Sequence, residues 1–308
     1  MGGLFFSIII PTYQRPDLVK NCIEKLLVQE LQNGVGYEII VGDDSPSEET
    51  KRCIEENFPS VRWVRSPGKG PAANRNFAAK RANGEWLIFI DDDTEPQPGF
   101  LKGYFEMAST SQYQVLEGKI LCPNKRNSPF YRMPENLTGN IFASGNIAFH
   151  RNTFNELGAF DEDLVVMEDM EMAHRIRASG ITHKFCPRAV VDHRAQPLGW
   201  KYMVWWAKHH RWGILYDFKT GKRNPSAPIF SSMVQTCLKH LVLLLRTTWH
   251  LVSQHDPATW KNRWFWQVWG WICLPYTMVN LCASEIQFRK LARDSHCDKS
   301  ISADHTLS

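Results

Sequence analysis

The stretch Gly84-Glu85-Trp86-Leu87-Ile88-Phe89-Ile90-Asp91-Asp92-Asp93-Thr94-Glu95-Pro96 decides how this chain is read. Five apolar residues, Trp86 to Ile90, run without a break and stop at three aspartates. An unbroken apolar run of this length reads as a strand buried on both faces, as in a sheet covered by helices. The three carboxylates repel one another and gain nothing from packing. They make sense around a cation, and hard ions such as Mg²⁺ and Mn²⁺ take oxygen ligands. In open α/β sheets ligands collect beyond the carboxyl ends of the strands, where these aspartates would lie.

Working outward, the same pattern repeats. Residues 4–10 form a short apolar run followed by Pro11-Thr12-Tyr13, and residues 37–41 a second run followed by Gly42-Asp43-Asp44-Ser45. Between them, 17–31 has helical spacing, with Leu18, Cys22, Leu26 and Leu27 on one face. The reading continues with a helix over 48–57, a strand over 61–64, a flexible loop at 67–71 and a helix over 72–82. Strand–helix alternation with short links implies a mainly parallel sheet with helices on both faces. That topology should gather Pro11-Thr12, Asp43-Asp44 and Asp91 to Asp93 on one edge. Beyond it, the sequence predicts helices over 97–109, 153–157 and 166–179, and strands over 115–121, 141–150 and 184–192. Residues 124–140 read as a polar loop over the site.

Charge is unevenly spread. Residues 1–183 carry a net −6, residues 184–223 a net +7 and residues 224–308 a net +3. An acidic front part suits a cation site, and a basic segment rich in Trp suits phosphates or an anionic membrane surface. The 8 Cys are scattered without a CxxC pair, which argues against a zinc site or a disulfide scaffold and for a reducing compartment. The opening apolar run is too short for a signal peptide. Nothing in the pattern points to nucleic acid.

Six blocks in order carry a family resemblance. They are Ser7 to Arg15 (SIIIPTYQR), Val41 to Ser45 (VGDDS), Ala73-Asn74-Arg75-Asn76, Ile90 to Asp93, Gly158 to Glu162 (GAFDE), and Glu168 to Met172 (EDMEM) with Arg175. Together they resemble family 2 glycosyltransferases with the GT-A fold, over about residues 4–195. The resemblance implies an inverting enzyme with a nucleotide-diphosphate sugar donor, a UDP-sugar by expectation, and Mn²⁺ or Mg²⁺ as cofactor. It places Pro11, Thr12, Tyr13 and Arg15 around the base, and a carboxylate of Asp43 or Asp44 on a uracil ring. Lys69 and Arg75 would face the phosphates. Asp91 and Asp92 border the donor, while Asp93, Asp91 and His193 would ligate the metal. Asp169 is the expected general base, with Glu168 as runner-up. An acidic cluster at a helix start also suits the helix dipole without any catalytic role.

Composition changes after Gly199. Lys208-His209-His210-Arg211-Trp212 resembles the Gln-x-x-Arg-Trp motif of processive synthases, except that Lys208 replaces Gln. By that resemblance Arg211 would meet the diphosphate and Trp212 the acceptor. Residues 264–284 lack formal charge, but their aromatic crowding and Pro275 fit the membrane interface as well as a span. The expected organisation is a GT-A domain in 1–220 and a helical, Trp-rich, membrane-associated tail in 221–308. The expected acceptor is a glycan or lipid-linked glycan, and the expected location is the cytoplasmic face of the cell membrane. An inactive sugar-nucleotide-binding or scaffold protein is the alternative. A nucleotidyltransferase would want a Gly-rich basic loop after the first strand, which Thr12 to Pro16 is not.

Overall fold

All five residues of Trp86–Ile90 are buried, as a strand covered on both faces requires. Trp86, Ile88 and Ile90 point into one core with Ile8, Val41, Phe100 and Tyr104. Leu87 and Phe89 point into the other, with Ile9, Phe154, Phe160, Met172 and Ile176. The two-residue period of a strand thus builds both layers from one short run.

The computed structural model describes residues 4–32, 34–124, 131–132, 134–197, 211–224 and 228, with 233–234, 237–238, 241–242, 245, 248–249, 271, 278–279 and 281–289. Two units are separable, 1–125 with 133–195, and 126–132 with 196–308.

The first unit holds β1 (Leu4–Thr12), α1 (Pro16–Leu27), β2 (Gly36–Asp43), α2 (Glu49–Asn57), β3 (Arg62–Arg65), α3 (Pro71–Ala79), β4 (Trp86–Ile90), β5 (Thr94–Pro96), α4 (Phe100–Ala108) and β6 (Val115–Leu121). After β7 (Tyr131–Arg132), which belongs to the second unit, it continues with β8 (Asn146–His150), α5 (Arg151–Glu156), α6 (Glu168–Ser179) and β9 (His183–His193). Its sheet has eight strands in the order β3-β2-β1-β4-β8-β6-β9-β5. The half from β3 to β4 is parallel throughout. From β8 onward the sheet is mixed, because β8 runs antiparallel to both β4 and β6, and β5 antiparallel to β9. This is the expected α/β architecture, with the parallel half where strand–helix alternation was clearest.

Three local readings change. The buried face of α1 is Val19, Cys22, Ile23 and Leu26, while Leu27 is exposed, so the apolar stripe lies one residue off the expected one. β5 has no counterpart in the sequence reading, because three residues give no periodicity to detect. The strand expected over 141–150 begins only at Asn146. The amides of Asn140, Ile141 and Phe142 donate to the Glu117 carboxylate instead of to a neighbouring strand.

In the second unit, β7 pairs with β10 (Gln196–Pro197), and α7 spans Arg211–Lys219. Glu285 is buried there between Arg223 at 2.7 Å and Arg289 at 3.1 Å. Among the described residues no helix is long and apolar enough to cross a membrane. Most of 264–284, all of 201–210, and 125–130 and 133 of the expected loop lie outside the described residues.

Phe89 is fully buried, with its ring centroid 5.1 Å from those of both Phe154 and Phe160. Phe89→Ala should therefore lower unfolding free energy by about 3–5 kcal/mol, read as a shift in the urea midpoint.

Candidate active site

Because β1 lies between β2 and β4 and runs parallel to both, the three strands end on one edge. Thr12 pairs with Asp43 in the ladder, and the Asp44 amide donates to the Thr12 carbonyl at 3.1 Å. The Thr12 hydroxyl donates to Asp92 Oδ2 at 2.6 Å. The three acidic or polar strand ends expected to meet do meet.

The consecutive aspartates are separated by direction. Asp91 accepts from Arg75 Nη2 at 2.7 Å. Asp92 turns inward, 1% exposed, toward Thr12 and Arg15 Nε at 3.3 Å. Burial pushes its carboxyl up to about 7, outweighing Arg15 and the Thr12 hydroxyl, which lower it. Asp93 lies 3.3 Å from Arg15 Nη1 and 3.3 Å from His193 Nε2. Asp91 therefore answers to Arg75, while Asp92 and Asp93 share Arg15 and are told apart by Thr12 and His193.

His193 arrives through β5. Thr94 pairs with His193 across the short antiparallel ladder, so the strand that directly follows the aspartates fixes an imidazole from the far end of β9. His193 Nδ1 stands 3.1 Å from the Arg194 carbonyl, which can only accept. In the neutral ring that contact puts the hydrogen on Nδ1 and a lone pair on Nε2. A lone pair facing a carboxylate at 3.3 Å suits a metal ion between them. Ligand atoms of Asp91, Asp93 and His193 all lie within 4.8 Å of one another. Two carboxylates and an imidazole fit Mn²⁺ or Mg²⁺ by ligand type.

Arg75, on α3, is 4% exposed and spans two elements: Nη2 reaches Asp91, and Nη1 reaches Glu168 at 2.9 Å. Glu168 and Asp169 open α6. Glu168 is buried and is raised from 4.5 to about 7, by burial first, with Asp169 adding and Arg75 opposing. Asp169 is only half-buried, and its Oδ1 accepts the Met170 amide at 2.7 Å. The two acids expected at this helix start thus have different exposures.

Flanking residues in α3 act as struts that the sequence did not announce. Asn74 Nδ2 donates to the Gly42 carbonyl at 3.0 Å, and its Oδ1 accepts the Ser66 hydroxyl at 2.8 Å. A Cβ at position 42 would lie 1.9 Å from Asn74 Oδ1, so only glycine fits. Asn76 holds the turn before α6 by exchanging hydrogen bonds with the backbone of Phe160. Apart from their place in the motif, nothing local marks them.

Asp43 is fully buried and accepts from the Ser45 amide at 2.8 Å and Trp63 Nε1 at 3.1 Å. Asp44 accepts from the amides of Gly68 and Gly70 at 3.0 and 3.1 Å, which brackets Lys69; burial raises its carboxyl. Pro11 is buried, whereas Tyr13, Arg15 and Lys69 are exposed. Arg211 and Trp212 open α7 in the second unit; the Trp212 ring stacks on Phe288 at 5.3 Å, and the Arg211 side chain lies outside the described residues.

The family model described as glycosyl transferase family 2 matches residues 7–165, more than half of the chain. The chain belongs to this family. Among curated relatives, the O-antigen biosynthesis protein RfbC of Myxococcus xanthus is 28% identical over 57% of this chain and 16% of its own length. The GalNAc(5)-diNAcBac-PP-undecaprenol beta-1,3-glucosyltransferase of Campylobacter jejuni is 30% identical over 39% of this chain and 40% of its own. The chain thus spans less than half the length of these relatives. S. aureus TarS 1-349, solved with UDP-GlcNAc, superposes with a TM-score of 0.55 at 20% identity, over 70% of this chain and 66% of that one. The Pyrobaculum calidifontis mannosyltransferase PcManGT, solved with GDP-Man and Mn2+, gives 0.54 at 18%, over 93% and 86%. These likenesses show the GT-A glycosyltransferase fold.

Glu168 yields a pH prediction. Its folded value lies above the ordinary 4.5 of an unfolded chain, so the folded protein prefers the protonated form. That contribution is complete below 4.5 and is lost as pH rises to about 7. Wild type should lose stability relative to Glu168→Gln across this window and run parallel to it above, measured by urea unfolding from pH 4.5 to 8.

Proposed function

We propose that this chain is an inverting, metal-dependent glycosyltransferase that moves a sugar from a nucleotide-diphosphate donor, a UDP-sugar, to a hydroxyl of a glycan or lipid-linked glycan acceptor. The observation that carries the reading is the Arg75 bridge. It ties the strand end bearing Asp91 and Asp93 to the helix start bearing Glu168 and Asp169.

In this reading Asp169 is the general base, since it is half-exposed while Glu168 is buried in its ion pair. The acceptor oxygen forms a bond to the anomeric carbon as its proton passes to Asp169. The bond from that carbon to the donor phosphate oxygen breaks, and the nucleoside diphosphate leaves with the electron pair. Attack from the face opposite the leaving group inverts the centre. Asp91, Asp93 and His193 would hold Mn²⁺ or Mg²⁺, which supplies charge neutralisation toward the leaving diphosphate. Pro11, Thr12, Tyr13, Asp43 and Asp44 border the nucleoside, and Arg15 and Lys69 offer positive charge to the phosphates. Arg75 acts on the donor side through Asp91. We assign transfer to 1–220 and attachment to the inner membrane face to the Trp-rich 221–308. The undecaprenol-linked substrate in one relative's name and the net positive charge of 184–308 support an anionic lipid surface as partner.

Asp169→Asn should cut kcat by about 10²–10⁴-fold and leave UDP affinity in Mn²⁺ unchanged, measured by donor turnover and calorimetry. Removing divalent ions with EDTA should abolish turnover, and added Mn²⁺ should restore it. A wild-type protein that binds UDP with Mn²⁺ but turns over no UDP-sugar is a binding protein instead. One that does neither refutes the whole reading.

A further inference from the structure

Glu117 plays no part in the reaction above, yet it is sealed inside the sheet at 1% exposure. It lies on β6, and among the described residues no Lys or Arg is ion-paired with it. Its charge is met by peptide dipoles. Oε1 accepts the Asn140 amide at 2.8 Å, and Oε2 accepts those of Ile141 at 3.0 Å and Phe142 at 2.7 Å. Asn136 Nδ2 adds a longer contact at 3.4 Å.

The backbone is bent to make this possible. Gly139, Asn140 and Phe142 have φ of +82°, +65° and +59°. Asparagine tolerates that region, but for an aromatic residue it is an outlier held only by its surroundings. Successive N–H groups turned inward in such a segment form a concavity suited to an anion. Here the anion is the protein's own carboxylate. From outside, Arg177 of α6 donates to the Asn140 carbonyl at 2.8 Å, with its guanidinium 5.0 Å from the Phe142 ring centroid.

Beyond the nest the segment runs through Ser144 and Gly145 into β8. A Cβ on Gly145 would lie 2.8 Å from Asp91 Oδ2, so this backbone passes close beside the carboxylate with no room for a side chain between them. Asn146 closes the segment, accepting the Tyr104 hydroxyl at 2.7 Å and donating to the carbonyls of Lys119 and Ala189 at 3.0 and 2.9 Å. Asp91 is therefore held by Arg75 on one side and backed by Gly145 on another.

We infer that Glu117 is a positioning residue for the donor site: by filling the nest at 140–142 it sets the segment that holds Gly145 against Asp91. The inference rests on the transfer reaction proposed above. Glutamine at 117 keeps the shape but turns an N–H₂ donor toward backbone donors, so the nest should loosen and Asp91 lose its backing.

The test compares full-length wild type, Glu117→Gln and Leu116→Ala, the last removing core volume from the opposite face of the same strand. Glu117→Gln should speed hydrogen exchange at the amides of 140–142. It should also weaken UDP binding in Mn²⁺ and lower kcat, each by about 10- to 100-fold, as loss of a partner behind a metal ligand does. Leu116→Ala should lower the melting temperature with affinity and kcat unchanged. If Glu117→Gln matches Leu116→Ala in affinity and kcat while exchange at 140–142 accelerates, Glu117 only maintains the fold and the inference is wrong. Should Glu117→Gln not fold, Arg177→Ala releases the same segment at the surface; unchanged UDP affinity there also overturns it. A wild type that binds no UDP in Mn²⁺ defeats the transfer reading itself, an outcome read before any variant is compared.

Discussion

Among the described residues Arg75 is the one cation placed deep among the site's carboxylates, and the geometry of the candidate centre hangs on it. Its two terminal nitrogens reach Asp91 and Glu168, which come from elements far apart in the chain. Removing one partner of such a buried pair typically costs about 3–5 kcal/mol, because the remaining charge is left uncompensated. The bridge thus does two jobs with one residue. It offsets the repulsion between carboxylates that a single site needs, and it fixes the distance between a strand end and a helix start that no backbone ladder connects.

The sheet explains how the other charges are kept apart. A parallel half delivers the ends of β1, β2 and β4 to one edge, where Thr12, Asp43 and Asp91 to Asp93 can touch. The mixed half then brings β9 back beside β5, so that His193 faces the same cluster. Neither half suffices alone: the first supplies the aspartates without the imidazole, and the second the imidazole without those aspartates. Within the triplet, alternation does the sorting. Asp92 points to the interior and is stabilised by Thr12 and Arg15, which leaves Asp91 and Asp93 with ligand atoms within 4.8 Å of His193.

The parts legible in the sequence were those written as long runs. β4 is an unbroken apolar stretch and β1 and β2 are largely apolar, and their acidic or polar ends read as ligand-binding by topology. Roles such as those of Asp93 and His193 came from family resemblance, because a histidine after a strand carries no mark of its purpose. What could not be read was carried by geometry alone. β5 is three residues long and has no period, although it is the element that seats His193. The strand expected from 141 fails because Glu117, more than twenty residues earlier, captures the amides that would have joined the ladder. Asn74 and Asn76 look like ordinary polar positions of a helix, yet one braces the ends of β1 and β2 and the other the turn before α6.

These hidden residues share a physical logic. Asn74, Asn76, Asn146 and Glu117 are buried polar groups that bond backbone atoms, those of strands for Asn74 and Asn146 and those of loops for Asn76 and Glu117. A loop cannot satisfy its own amides and carbonyls, so a buried side chain that does so gives it one conformation. Apolar packing would hold the layers together without specifying where a loop's carbonyl or amide points. The site needs that orientation, since Gly145 must clear Asp91 and the turn before α6 must set the height of Glu168 and Asp169. Hydrophobic burial therefore decides that this sheet forms, and a small set of internal amides and one carboxylate held by backbone amides decide where its loops come to rest.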